Sequence, residues 1–127
     1  MRTTLLSFLL FTLHIIAFSQ NLTLSWHDGV VPNGSILDVS GRIDTVIVAE
    51  VLVHNEGLST VEVKVRKENI HLVPGSMDTY CFANQCYGSE VPVSVHSVHI
   101  DPGMYDSTFY GDYYPLGNEG ISIFRYT

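Results

Sequence analysis

Residues 44–67 read DTVIVAEVLVHNEGLSTVEVKVRK, and this stretch decides the fold class. From Asp44 to His54 the chain is apolar on both faces, as expected for a central strand of a packed sheet. Asn55-Glu56-Gly57 is turn chemistry. Beyond it the pattern changes to strict alternation. Val61, Val63 and Val65 fall on one face, and Glu62, Lys64 and Arg66 on the other. That is the period of a half-buried antiparallel strand, and its closeness to the preceding strand predicts a hairpin. Neither half carries helical periodicity.

The same signals extend outward in both directions. Leu22, Leu24 and Trp26 alternate in LTLSW, and PNG at 32–34 is a turn. NIHLVPG at 69–75 reads as a strand closed by Pro74-Gly75. VPVSVHSVHI at 91–100 is a strand ended by Asp101-Pro102-Gly103, where proline and glycine suit the central positions of a type II turn. STFYGDYYP and ISIFRYT supply two more strands. About seven strands, with turn signals roughly every 8–12 residues, predict an all-β antiparallel sandwich.

The chain has 127 residues, enough for one small domain. Arg2, the apolar run Leu5–Phe18 and Ala17-Phe18-Ser19 have the layout of a signal peptide over 1–19, cleaved near Ser19. The run is too short for a membrane span, which needs about 20 residues. The division is therefore a leader, 1–19, and a β-domain, 20–127, that is secreted or displayed at the cell surface without membrane insertion. Removing the leader with its one arginine takes the formal charge from −7 to −8. No basic patch is left to neutralise phosphates, which argues against nucleic acid as partner.

Cys81 and Cys86, in TYCFANQCYG at 79–88, are the only cysteines. In a secreted chain an even count reads first as a disulfide. Two other readings stay open. Zinc would need two more ligands, and His96 and His99 lie three apart on a strand, hence on opposite faces. A redox pair would normally be Cys-x-x-Cys at a helix start. The preferred expectation is a staple with no metal and no cofactor.

Tyr110 and Tyr114 share one parity in TFYGDYYP, and Phe109 and Tyr113 the other. One pair belongs to the core, and Tyr110 and Tyr114 are candidates for stacking on a sugar. Asp101, Asp106 and Asp112 fit no calcium loop. Asn21-Leu22-Thr23 and Asn33-Gly34-Ser35 match the N-glycosylation sequon. No nucleophile, base and orienter stand at motif spacing, so an enzyme is not expected.

Taken together, Asn55, Tyr80-Cys81-Phe82, Cys86-Tyr87, Pro102-Gly103, Phe109, Tyr114-Pro115, Gly117, Gly120, Phe124 and Tyr126 resemble immunoglobulin-like domains of exported Bacteroidetes proteins, over residues 42–127. Ala83 stands where that pattern has tryptophan. The resemblance implies an immunoglobulin-like sandwich, a secreted or cell-surface location with the type IX secretion route, and a structural, spacer or adhesive role toward a surface protein or glycan. Asp44-Thr45-Val46 and Asp106-Ser107-Thr108 resemble Bacteroidetes O-glycosylation acceptors, which makes Thr45 and Ser107 the candidate sites. Domains of this kind continue past the last strand seen here into one more edge strand and a sorting domain. The expectation is a sandwich without its final edge strand, from a truncated product or from a protein lacking both parts. Ile121 to Thr127 would then be an edge open to pairing with another strand.

Overall fold

The computed structural model describes residues 21–27 and 29–127. The leader assigned to 1–19 lies outside the described residues. Those described form an all-β domain of twelve strands in antiparallel sheets, with no helix. The strands are β1 (Leu22–Trp26), β2 (Gly29–Val31), β3 (Ile47–Glu50), β4 (Leu52–Asn55), β5 (Val61–Val63) and β6 (Lys67–His71). They continue as β7 (Met77–Phe82), β8 (Gln85–Gly88), β9 (Val98–Ile100), β10 (Tyr105–Asp106), β11 (Tyr110–Tyr114) and β12 (Ile123–Tyr126).

The long apolar run is β3 and β4 with Val51 between them. Its two halves serve different sheets, ordered β3-β11-β7-β8 and β10-β4-β1-β2. The partner run, β10 and β11, follows it along its whole length. Asp106 faces Val53, Tyr110 faces Glu50, and the Val51 N–H donates to the Phe109 carbonyl at 3.4 Å. One run advances by three residues between those pairs while the other advances by four. Ser107 and Thr108 together oppose Leu52, a β-bulge where the strand passes from one sheet into the next.

A second group is built on the alternating segment. β6 pairs with β12, and Arg66 and Thr127 exchange both backbone hydrogen bonds. On its other side the Lys67 N–H donates to Pro92 O, and the Ser94 N–H to Val65 O. β5 pairs with β9, Val61 facing Ile100. The order is thus β12, the β5–β6 segment, then residues 92–100. The expected strand over 91–100 is interrupted by a bend at 95–96, and only its last part is β9.

The expected hairpin between the two halves of the opening stretch does not form. β4 pairs with β1 and β10, whereas β5 pairs with β9. The turn carries the chain from one group of strands to the other, and Asn55 holds it there. Fully buried, Asn55 donates from Nδ2 to the carbonyls of Ser59 and Ile100, both at 2.8 Å, and accepts from the Gly57 N–H at 2.9 Å. Gly103, at φ 74°, completes the Asp101–Met104 turn, whose backbone bonds back onto Asn55.

The valines of the second group face the aromatics of the first. Val51, Val65, Tyr80, Phe82, Tyr87 and Phe109 form the main core, and Val53, Val61 and Ile100 a smaller one. Tyr126 of β12 packs edge-on to Phe109, with ring centroids 5.0 Å apart, and also meets Tyr80. The approach requires glycine at 111, since a Cβ there would sit 2.8 Å from the Tyr126 hydroxyl.

Candidate functional site

Parity on β11 sorts its tyrosines. Phe109 is buried and Tyr113 packs inward against Phe124, centroids 5.9 Å apart. Tyr110, Asp112 and Tyr114 point to the opposite face, opposite Cys81, Thr79 and Met77 of β7. Tyr110 and Tyr114 are half-buried, so each offers part of a ring to solvent while its remainder packs on the sheet.

Cys81 and Cys86 lie directly opposite each other on β7 and β8 and form a disulfide. The hairpin between them turns through Ala83 and Asn84, both in the left-handed region at φ 54° and 59°. Two consecutive residues there are the mark of a type I′ turn, which matches the right-handed twist of the strands. The Ala83 N–H donates to Thr108 Oγ1 at 2.9 Å, tying the hairpin to the bulge. Phe82 and Tyr87 are both buried beside it. The disulfide lies on the same face as Tyr110, whose hydroxyl is 3.9 Å from Cys86 Sγ.

Glu50 and Val48 of β3 continue this face beside Tyr110 and Asp112. They also line a shallow concavity of about 380 Å³, shared with Trp26, His27 and Val39. Partial burial pushes the Asp112 carboxyl up from the usual carboxylate range, and the negative charge of Glu50 adds to the rise. A hydrogen bond with Thr79 pulls the other way. Two tyrosines, two carboxylates and the Trp26 concavity thus lie along one surface. Asp112 shares the parity of Tyr110 and Tyr114 and was open to the same reading, whereas Glu50 and Trp26 were not legible as members of a site, because strand pairing alone brings residues so distant in sequence together.

The two acceptor candidates lie apart from this face. Thr45 is exposed just before β3, its hydroxyl donating to the Arg42 carbonyl at 3.3 Å. Ser107 is exposed in the bulge. Its neighbour Asp106 is engaged by the Thr108 N–H and hydroxyl, at 2.9 and 2.6 Å. His96 is exposed at the bend and His99 on β9. Among the described residues no three His, Cys, Asp or Glu side chains are grouped to hold a metal ion.

The buried polar side chains are elsewhere, and each links one segment to another. Besides Asn55, Ser94 Oγ accepts from the Val65 N–H at 3.1 Å. Lys67 of β6 and Asp78 of β7 form an ion pair with both side chains 1% exposed. Asn69 Nδ2 donates to Asp78 Oδ1 at 3.2 Å, and the ring of Tyr80 lies 5.8 Å from Lys67 Nζ.

No known family model, curated protein or solved structure matches this chain.

Proposed function

We propose that this chain is a secreted or cell-surface immunoglobulin-like module, non-catalytic, with a structural, spacer or adhesive role. The observation that carries the reading is the use made of its buried polar groups. Asn55, Lys67, Asp78 and Ser94, the buried polar residues among those described, all hold segments to one another. A disulfide supports the same reading, because such bonds persist in oxidising compartments. Valines of one strand group facing aromatics of the other is the packing expected of a sandwich. The resemblance of residues 42–127 to exported immunoglobulin-like domains adds the location and the type IX route. Protease treatment of intact host cells tests it: the chain should be found in the medium or be degraded at the surface. Full protection until lysis would overturn the location.

A second reading, a carbohydrate-binding module, is favoured by one specific observation. Tyr110 and Tyr114 share their face with the carboxylates of Glu50 and Asp112. Tyrosine rings stack on the apolar faces of sugars, and carboxylates accept hydrogen bonds from sugar hydroxyls. Glycan-array binding by the full chain, lost in both Tyr110→Ala and Tyr114→Ala, would establish it. An array without signal would leave the structural reading alone.

A further inference from the structure

Lys67 and Asp78 place a primary amine against a carboxyl group in a site closed to water. Both side chains are 1% exposed, and they come from strands of different groups, β6 and β7. Aromatic rings surround them: Tyr80 lies 5.8 Å from Nζ, and Tyr126 and Tyr87 pack on Tyr80 with centroids 6.2 and 5.0 Å away. A simple ion pair is a poor occupant of such a place, because its two charges lose their hydration and recover only part of it from each other.

We propose that Lys67 and Asp78 condense into an intramolecular amide that joins β6 covalently to β7. The first event is passage of a proton from the Lys67 ammonium to Asp78 Oδ2 across their contact. It leaves a neutral amine beside a neutral carboxyl. Apolar surroundings favour this exchange, since they penalise the charged pair more than the neutral one. The Nζ lone pair then attacks Cγ, and the Nζ–Cγ bond forms. The Cγ–Oδ2 bond breaks next. Oδ2 departs as water, carrying the proton it received and a second proton from Nζ. The product is a secondary amide, one water is released, and no oxidant or co-reactant is consumed.

Three features of the site fit this step. Fixed proximity removes the entropy cost of bringing amine and acid together. Asn69 Nδ2 donates to Oδ1, the oxygen on which negative charge develops during the attack. Burial, and then the negative charges of Asp78 and Asp112, raise the pKa of the Tyr126 hydroxyl, so it stays protonated near the pair. In bulk water the equilibrium favours the separated ions. Here condensation removes two buried charges and leaves one amide, which reverses the preference.

Trypsin offers a direct test. No lysine or arginine lies between Lys67 and Arg125, and trypsin does not cleave after an acylated lysine. The full chain is denatured, reduced, alkylated and digested, and its peptides are weighed. The expected result is a peptide running from Lys67 to Arg125, lighter than its composition by one water. A peptide starting at Glu68, showing a free Lys67, would overturn the proposal. It would do so even if that peptide lacked a water, since a cyclic imide at Asp78 leaves Lys67 cleavable. Asp78→Ala should restore cleavage after Lys67, and a Lys67 still blocked in that variant would equally overturn the assignment. The wild-type digest decides the question whether or not the variant folds.

Discussion

Asn55 shows how much one side chain does in this domain. Its amide satisfies two carbonyls and one N–H at the point where the chain changes from one strand group to the other. Asn55→Ala removes all three bonds and leaves the Ile100 carbonyl unpaired in the interior. The expected loss is roughly 2–4 kcal/mol, read as a lower urea midpoint at unchanged slope. Tyr126 predicts a pH effect. Burial raises its folded-state pKa far above the unfolded value of about 10. A raised folded pKa contributes stability that is complete below the unfolded pKa and is lost as pH rises toward the folded one. Unfolding titrations should therefore show stability flat through neutral pH and falling above about pH 10. Tyr126→Phe should shallow that fall, and an unchanged alkaline slope would remove Tyr126 as its source.

At the scale of an element, the β7–β8 hairpin carries a local conflict. Its turn needs positive φ twice in succession, and the chain supplies alanine and asparagine there. Asparagine tolerates the left-handed region, while alanine is strained by its Cβ. The disulfide and the Thr108 contact hold the turn against that strain. Ala83→Gly should accordingly stabilise the domain by about 0.5–1 kcal/mol in chemical denaturation, with the net gain limited by glycine's extra freedom when unfolded. A loss of stability would show that the small contact of the Ala83 methyl with the core outweighs the backbone strain. The staple reading of TYCFANQCYG was available from the cysteine count and the expected secretion alone. The type I′ turn was not, because the alanine conceals it.

Among the described residues, β12 lies at the edge of its sheet. Its Thr127 and Arg66 exchange both hydrogen bonds, so Arg125 and Thr127 direct their backbone groups toward β6, and Phe124 and Tyr126 direct theirs outward. No described residue pairs with that outer side. Ile121 is 78% exposed and Ile123 49%, and Arg125, bound to Glu68 at 3.1 Å, is the one charge in the strand. An apolar, weakly charged edge recruits other strands. Sedimentation velocity on the chain should therefore show concentration-dependent self-association, suppressed in the Ile121→Lys/Ile123→Lys double variant. Association of equal strength in the variant would place the contact elsewhere.

The all-β class and the buried parity of Phe109 were legible in the sequence, because alternation and turn residues are local and each acts within a few positions; the strand count was not, since about seven were expected and twelve form where bends and changes of sheet divide the longer runs. The inward and outward faces of β11 followed from parity in the same way. Pairing partners were not legible. The alternating strand after Asn55 has the composition of a hairpin arm, yet it lies in the other strand group. What directs it there is Asn55 reaching Ile100, a contact between residues far apart in sequence. The union of Lys67 with Asp78, and of Glu50 and Trp26 with the tyrosine face, has the same origin. Lys67 keeps the parity of Val61, Val63 and Val65, so its inward direction was open to the same alternation argument, but that Asp78 meets it there only tertiary packing decides. Local patterns fix what each segment is; the free energy of burial, which depends on every segment at once, fixes which segments meet.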